Sequence, residues 1–329
     1  MKIQFISLII LLAASACQAQ NENSMNNNHN PLMCDPEKGM CEMPGDSINT
    51  KPDSLKAETK PVKIIYFTDP ICSSCWGIEP QLRRLKLEYG SDFQIEYRMG
   101  GLLKDWSYNS GGISKPSDVA HHWDEVSEYY QMPIDGDVWL EDPLDSSYPP
   151  SIAFKAAQMQ DDYKAIEFMR TLREMVFLKK MNITKWENMA SAAKEVGLDV
   201  TRLKTDYEGK AKQLFEADLE LGRQMGVRGF PTLFITDSSG FSTTIYGFNK
   251  YPVFENGIKK IYPQVHRTEY PRDWKSIFSV YPTLTLREFA ELCDKSTAES
   301  EKELNTLVEQ NELTKLNTKN GSLWIRNEK

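Results

Sequence analysis

Beyond its first residues the 329-residue chain has no apolar stretch approaching the about 18 to 20 consecutive residues that a membrane-spanning helix requires, so any membrane attachment must be covalent. An excess of positive charge is also missing. Lys and Arg number 39 against 47 Asp and Glu, and the net charge of -8 disfavours general affinity for nucleic acid. Histidine is scarce at four residues, and neither these nor the cysteines repeat at the spacing of a zinc site, so no metal or other cofactor is expected. No tandem repeat is evident, and Asn26-Asn27-Asn28 is the only trace of low complexity, which excludes a solenoid. The length exceeds that of one usual domain and predicts a main domain with an appendage.

What is present begins with a leader. Lys2 gives a positive start, Ile3 to Ala14 is a short apolar run, and Ala14-Ser15-Ala16 offers small residues for cleavage, which reads as a secretory signal over residues 1–16. Cys17 follows directly, as in a bacterial lipoprotein signal, although Ala14 stands where leucine is commoner. Lipidation of Cys17 would anchor the chain in the cell envelope on the periplasmic side; ordinary cleavage after Ala16 or Ala19 would leave it soluble there. Residues 17–60 are rich in Asn, Ser, Asp, Glu and Pro, too polar to bury a core, and predict a disordered tether. Within it, Pro36 and Gly39 suit a tight turn between Cys34 and Cys41. Six cysteines in an oxidising compartment can pair, but their connectivity stays open.

Val62 to Phe67 is a β-branched and aromatic run between Pro61 and Pro70, the pattern of a buried strand. Ile78, Leu82, Leu85 and Tyr89 then recur at helical spacing up to Gly90, and Phe93 to Arg98 reads as a second strand. Strand, helix, strand predicts an α/β fold with a parallel pair. Helical periodicity fills about residues 110–225 as an insertion, after which Thr232–Ile235 and Thr243–Tyr246 form a hairpin. This main domain spans 61–265. Residues 267–329 form a small unit of two helices, Leu286–Cys293 and Ser300–Gln310, and a hairpin turning at Asn320-Gly321, the outline of a winged helix. Its Glu299, Glu301, Glu303, Glu309 and Glu312 would repel phosphates, so protein contact is expected and nucleic acid is not.

The chemistry centres on Cys72 and Cys75 in Asp69-Pro70-Ile71-Cys72-Ser73-Ser74-Cys75-Trp76. Thiol–disulfide exchange needs an attacking thiolate and a resolving thiol nearby. A helix N-terminus can lower a thiol from about 8.5 to between roughly 3.5 and 7.5, so Cys72 is the expected nucleophile and Cys75 the resolving thiol. Structural zinc or an inert disulfide is the bland reading of the same pair, and Cys293 is expected to be a small core residue of the appendage. Trp106, Trp123, Trp139 and Trp186 read as packing, and His121-His122 as a solvated face.

Pro80 and the late Gly229-Phe230-Pro231-Thr232 complete a pattern that resembles the DsbA-like family of the thioredoxin superfamily, including its exported thiol oxidoreductases and its cytosolic ClpXP-adaptor branch. The resemblance covers about residues 61–248 and implies a thioredoxin fold with a helical insertion and a redox dithiol. It matches Cys72 to the nucleophile, Cys75 to the resolving cysteine and Pro231 to the cis-proline, with Phe230, Thr232 and Trp76 as candidate substrate-binding residues. Two departures stand out: Ser73-Ser74 replaces the Pro-His of many oxidising members, and Tyr66 occupies the position of their buried acid. Asp69 and Glu79 are the candidates for handling the proton of Cys75.

The expectation is therefore an exported thiol–disulfide oxidoreductase acting on cysteine-containing envelope proteins and recharged by a membrane or soluble redox partner. Cys34 and Cys41 are candidates for a second redox pair. The alternative is a non-catalytic adaptor that binds a client through the thioredoxin surface and the C-terminal unit.

Overall fold

The computed structural model describes residues 60–107 and 114–327, together with the backbone of two short strands, β1 (Cys34–Asp35) and β2 (Met40–Glu42). The leader over 1–16, Cys17 and the rest of the predicted tether lie outside the described residues.

The main domain opens with β3 (Val62–Thr68), α1 (Ser73–Gly77), α2 (Glu79–Tyr89) and β4 (Phe93–Met99). Every residue of β3 except Lys63 is buried, which explains why the run is continuously apolar rather than alternating. The insertion supplies α3 (Pro116–Tyr130), α4 (Val138–Glu141), α5 (Tyr148–Gln158), α6 (Asp162–Leu178), α7 (Trp186–Glu195), α8 (Val200–Glu208) and α9 (Lys210–Gln224). The chain then returns through β5 (Gly229–Phe230), β6 (Thr232–Asp237), β7 (Ser242–Tyr246) and α10 (Tyr251–Ile261).

These strands form a four-stranded sheet in the order β4-β3-β6-β7. β3 runs parallel to β4, with Val62 opposite Phe93, and antiparallel to β6, with Ile64 opposite Ile235. The parallel neighbour is reached by the crossover through α1 and α2, and the antiparallel neighbour only after the whole insertion. α10 lies close on β6 and β7, where a Cβ on Gly257 would meet Ile235 Cδ1 at 2.7 Å. α6 begins cleanly because the Asp161 side chain accepts from the amides of Tyr163 and Lys164 at 2.8 and 3.0 Å, a cap worth about 1 kcal/mol. Within the insertion Trp123 stacks edge-on to Trp139, which contacts Trp106 in the same way, so these rings are packing. The paired histidines divide: His121 is exposed, whereas His122 is buried, against the expectation of a solvated face for both.

The C-terminal unit contains α11 (Trp274–Val280), β8 (Thr283–Thr285), α12 (Leu286–Cys293), α13 (Thr297–Glu309), β9 (Leu313–Thr318) and β10 (Gly321–Arg326). Its sheet has the order β8-β10-β9. Neither α11 nor β8 was predicted, because seven and three residues are too short for a periodic pattern to show. Capping boxes at Thr285 with Glu288 and at Ser296 with Glu299 start its two longer helices. Phe278, Leu284, Phe289, Leu292, Cys293 and Trp324 form its core.

Buried charge fastens this unit to the main domain. Arg170 of α6 and Arg83 of α2 both reach the fully buried carboxylate of Glu288. Burial pushes the Glu288 carboxyl up, but Arg170 and Arg83 outweigh that effect and hold it below the usual carboxylate value. At the hairpin tip, Lys319 binds Asp124 and Asp137 at 2.6 and 2.7 Å, and Asn320 donates to Asp124 at 2.7 Å and to the Ile134 carbonyl at 2.8 Å.

Candidate functional site

β3 ends at Thr68, and Asp69-Pro70-Ile71 turns the chain into α1 with Cys72 as its N-cap. The Cys72 backbone is extended, its carbonyl accepts from the Trp76 amide at 3.1 Å, and its sulfur accepts from the Cys75 amide at 3.2 Å. The helix thus starts just after the first cysteine and places the second one turn inward. It breaks at Ile78, and α2 restarts with Pro80 in its first turn, where a missing amide hydrogen costs nothing.

The turn is held by Asp69. One carboxylate oxygen accepts from the Ile71 amide at 3.0 Å, and the other from the Leu102 amide and the Ser147 hydroxyl, both at 2.8 Å. Burial raises the Asp69 carboxyl to about 6, only partly offset by these donors. The side chain ties the cysteine turn to the segment after β4 and to the entry of α5. Glu79, the second proton-transfer candidate, is engaged by Arg173 of α6.

Arg173 is the centre of the site that sequence reasoning missed. Its guanidinium, 1% exposed, also donates to Thr68 Oγ1 at 2.7 Å and to the Asp69 carbonyl at 3.3 Å. The only signal for it was a cation within the apolar run Leu172–Leu178 and its neighbours on α6. Burial pushes the Cys75 thiol up, but the hydrogen bond with Cys72, the Arg173 cation and the hydroxyls of Thr68 and Tyr66 outweigh it and bring Cys75 below the usual thiol value. Burial holds Cys72 well above that value.

This reverses the sequence expectation of a helix-activated Cys72. Both cysteines are fully buried, and α1 is only five residues long, so desolvation at Cys72 dominates over a short helix's field. The negative charge of the pair is better placed on the inner sulfur, beside Arg173. Tyr66, standing where oxidising relatives carry an acid, is itself held well above the usual phenol value by burial, and it contributes a hydroxyl instead of a carboxylate.

The other candidates fall into two groups. Trp76 is corrected from a substrate-binding residue to a core residue: it is fully buried, donates from Nε1 to the Pro133 carbonyl at 3.0 Å, stacks on Phe177 and lies under Arg170. Ser74 hydrogen-bonds the Tyr130 hydroxyl at 2.6 Å, so the dipeptide between the cysteines is fastened to α3. At the far strand, the Phe230–Pro231 bond is cis, as the resemblance implies. Thr232 faces inward, donating to the Gly229 carbonyl at 2.7 Å, and the buried Phe230 ring occupies the space that a Cβ on Gly100 would need. Because Thr232 pairs with Phe67, Pro231 lies at the same end of the sheet as the cysteine turn.

Beside this end stands the N-terminal hairpin. β2 pairs antiparallel with β5, with Cys41 opposite Phe230 and Glu42 opposite Gly229. β1 pairs with β2, with Cys34 opposite Cys41.

A four-stranded sheet, a Cys-x-x-Cys turn at its end and a cis-proline opposite define a thioredoxin-fold protein with a helical insertion. The thioredoxin family model matches residues 66–256. The ClpXP adapter protein SpxH of Halalkalibacterium halodurans is 33% identical over 308 residues, covering 91% of this chain and 99% of the relative. The protein of the same name from Shouchella clausii is 30% identical over 88% of this chain and 95% of its own length. A solved structure from Nitrosomonas europaea shares the fold with a TM-score of 0.54 at 19% identity, covering 61% of this chain and 97% of that one. The chain belongs to the thioredoxin superfamily and, within it, to the SpxH-like branch. These relatives overturn the expectation of an exported oxidoreductase exchanging disulfides with envelope proteins, because proteins matched along nearly their whole length are adapters by name.

Proposed function

We propose that this chain is a protein-binding adapter of the ClpXP-adapter type, which presents a client protein to the protease. The observation that carries the reading is the extent of the likeness: 91% of the chain and 99% of the relative are matched, too much to be confined to the thioredoxin domain. Two further features favour binding over catalysis. Both cysteines are fully buried, with Cys72 held well above the usual thiol value, which is a poor state for attack on an external disulfide. The C-terminal unit is joined to the main domain through buried ion pairs, so both can contribute to one continuous protein-binding surface.

The test is reconstitution. Proteins captured on the full chain from its own cells are supplied as substrates to ClpXP, with and without the chain. Faster degradation of a captured protein when the chain is added is the expected result; unchanged rates for all of them sink the reading. An adapter must also share a compartment with the protease, whereas the segment Lys2–Ala16 points to the envelope. Fractionation decides this: recovery of the chain only from the outer side of the membrane, with residues 1–16 removed, counts against the adapter.

A further inference from the structure

We infer that Cys34 and Cys41 form a second redox pair on a hairpin seated beside the Cys72 turn, and that this pair exchanges its disulfide with Cys72 and Cys75 inside one chain. The inference is independent of the adapter reading and is tested by a different measurement.

The register is the first support. Cys34 and Cys41 are directly opposed on antiparallel strands. Opposed Cα atoms in such a pair lie about 4.5 or 5.5 Å apart, inside the about 4.4 to 6.8 Å range that a disulfide spans. Closing the bond around residues 35–40 therefore needs no shift of the backbone.

Placement is the second. Cys34, Cys41 and Phe230 occupy one row across the three-stranded sheet β1-β2-β5. Phe230 immediately precedes Pro231, at the sheet end from which β3 runs into Cys72. β2 also packs against α1, the helix that Cys72 caps. Of the two hairpin cysteines, Cys41 is thus the inner one and Cys34 lies one strand further out. Main-chain pairing to an exposed edge is how an extended peptide docks on a sheet, and here the docked strand belongs to the same chain. Residues 43–61 join it to β3 in the same chain, so the encounter of the two pairs is intramolecular.

The exchange balances without an outside reagent once the Cys72–Cys75 disulfide exists. The Cys41 thiolate attacks the Cys72 sulfur; the Cys72–Cys75 bond breaks, a Cys41–Cys72 bond forms, and Cys75 leaves as a thiolate. Arg173 supports this step, because it favours the ionised form of Cys75. The Cys34 thiolate then attacks the Cys41 sulfur, forming Cys34–Cys41 and releasing Cys72, and the two protons given up by Cys34 and Cys41 pass to Cys72 and Cys75. Two electrons pass from the hairpin dithiol to the inner disulfide.

The test uses the full chain with two double substitutions. Cys34→Ser with Cys75→Ala leaves Cys41 to meet Cys72, and Cys41→Ser with Cys75→Ala leaves Cys34. Each reduced protein is treated with diamide at low protein concentration, alkylated and mapped by mass spectrometry, with near-ultraviolet circular dichroism confirming the fold. If Cys75→Ala perturbs packing, Cys75→Ser serves in its place. The expected result is an intramolecular Cys41–Cys72 link formed about tenfold more than the Cys34–Cys72 link, because only the inner position is held at high effective concentration. Equal yields, links only between two chains, or no link to Cys72 overturn the inference.

Discussion

Arg170 holds both carboxylate oxygens of Glu288, at 2.7 and 3.0 Å, across the junction between the helical insertion and the C-terminal unit. Glu288 is fully buried, and Arg83 approaches it at 3.2 Å from the other side. Replacing one member of such a cluster leaves the others as uncompensated buried charge. Glu288→Gln is therefore expected to cost about 3 to 5 kcal/mol in denaturant unfolding. A cost under about 1 kcal/mol would place the pair with exposed ion pairs and remove it as the clamp of the junction.

Arg173 favours the ionised form of Cys75. Arg173→Gln removes a cation that, after the hydrogen bond with Cys72, draws Cys75 down, so the thiolate absorbance near the ultraviolet edge should titrate at higher pH than in the unaltered protein. An unmoved titration would show that the hydrogen bond with Cys72 and the hydroxyls of Thr68 and Tyr66 determine it without the cation.

Asp69 gives the stability a pH dependence of known sign. Its carboxyl is raised from 3.8 to about 6 in the folded chain, so the stabilising contribution is full below about pH 4 and is lost as pH rises through about 6. Ionisation then costs roughly 2 to 3 kcal/mol, at about 1.4 kcal/mol for each pH unit. Asp69→Asn cannot titrate, and its amide group opposes the amide of Leu102. The variant should be less stable at pH 4, with its deficit shrinking towards pH 7. A deficit constant across that range refutes the assignment.

Two glycines separate close approach that can relax from close approach that cannot. A Cβ on Gly77 would meet the Tyr130 ring at 2.7 Å, and that ring is buried and anchored to Ser74, whereas the atom facing Gly257 is the mobile end of Ile235. Gly77→Ala is expected to cost about 1 to 3 kcal/mol and Gly257→Ala less, measured by thermal unfolding. The reverse order would mean that α3 yields more readily than the sheet.

The legible part of this protein was local. Val62–Phe67 announced a buried strand by composition, the Asn320-Gly321 pair announced a hairpin, and Pro231 stood where the family resemblance implied a cis-proline. The cysteine turn was equally plain. Arg173 was not, because it lies 98 positions from Cys75 in the sequence and only the packing of α6 brings the two together. Distance along the chain also hid the ion pairs of Glu288. Trp76 misled for the opposite reason: it is adjacent to Cys75, yet the helix turns it into the core against Phe177. The pairing of Cys41 with Phe230 joins residues 189 positions apart, one of them in a segment whose composition had suggested a tether.

Helix α2 begins where the cysteine helix breaks, and it carries Arg83 and Arg84 further along. Arg83 holds the Thr283 carbonyl at 2.9 Å, and Arg84 holds Glu291 at 2.9 Å. The helix that follows the cysteine turn is therefore pinned at its middle to the C-terminal unit, so the turn and that unit share one support although they lie about two hundred positions apart in the chain.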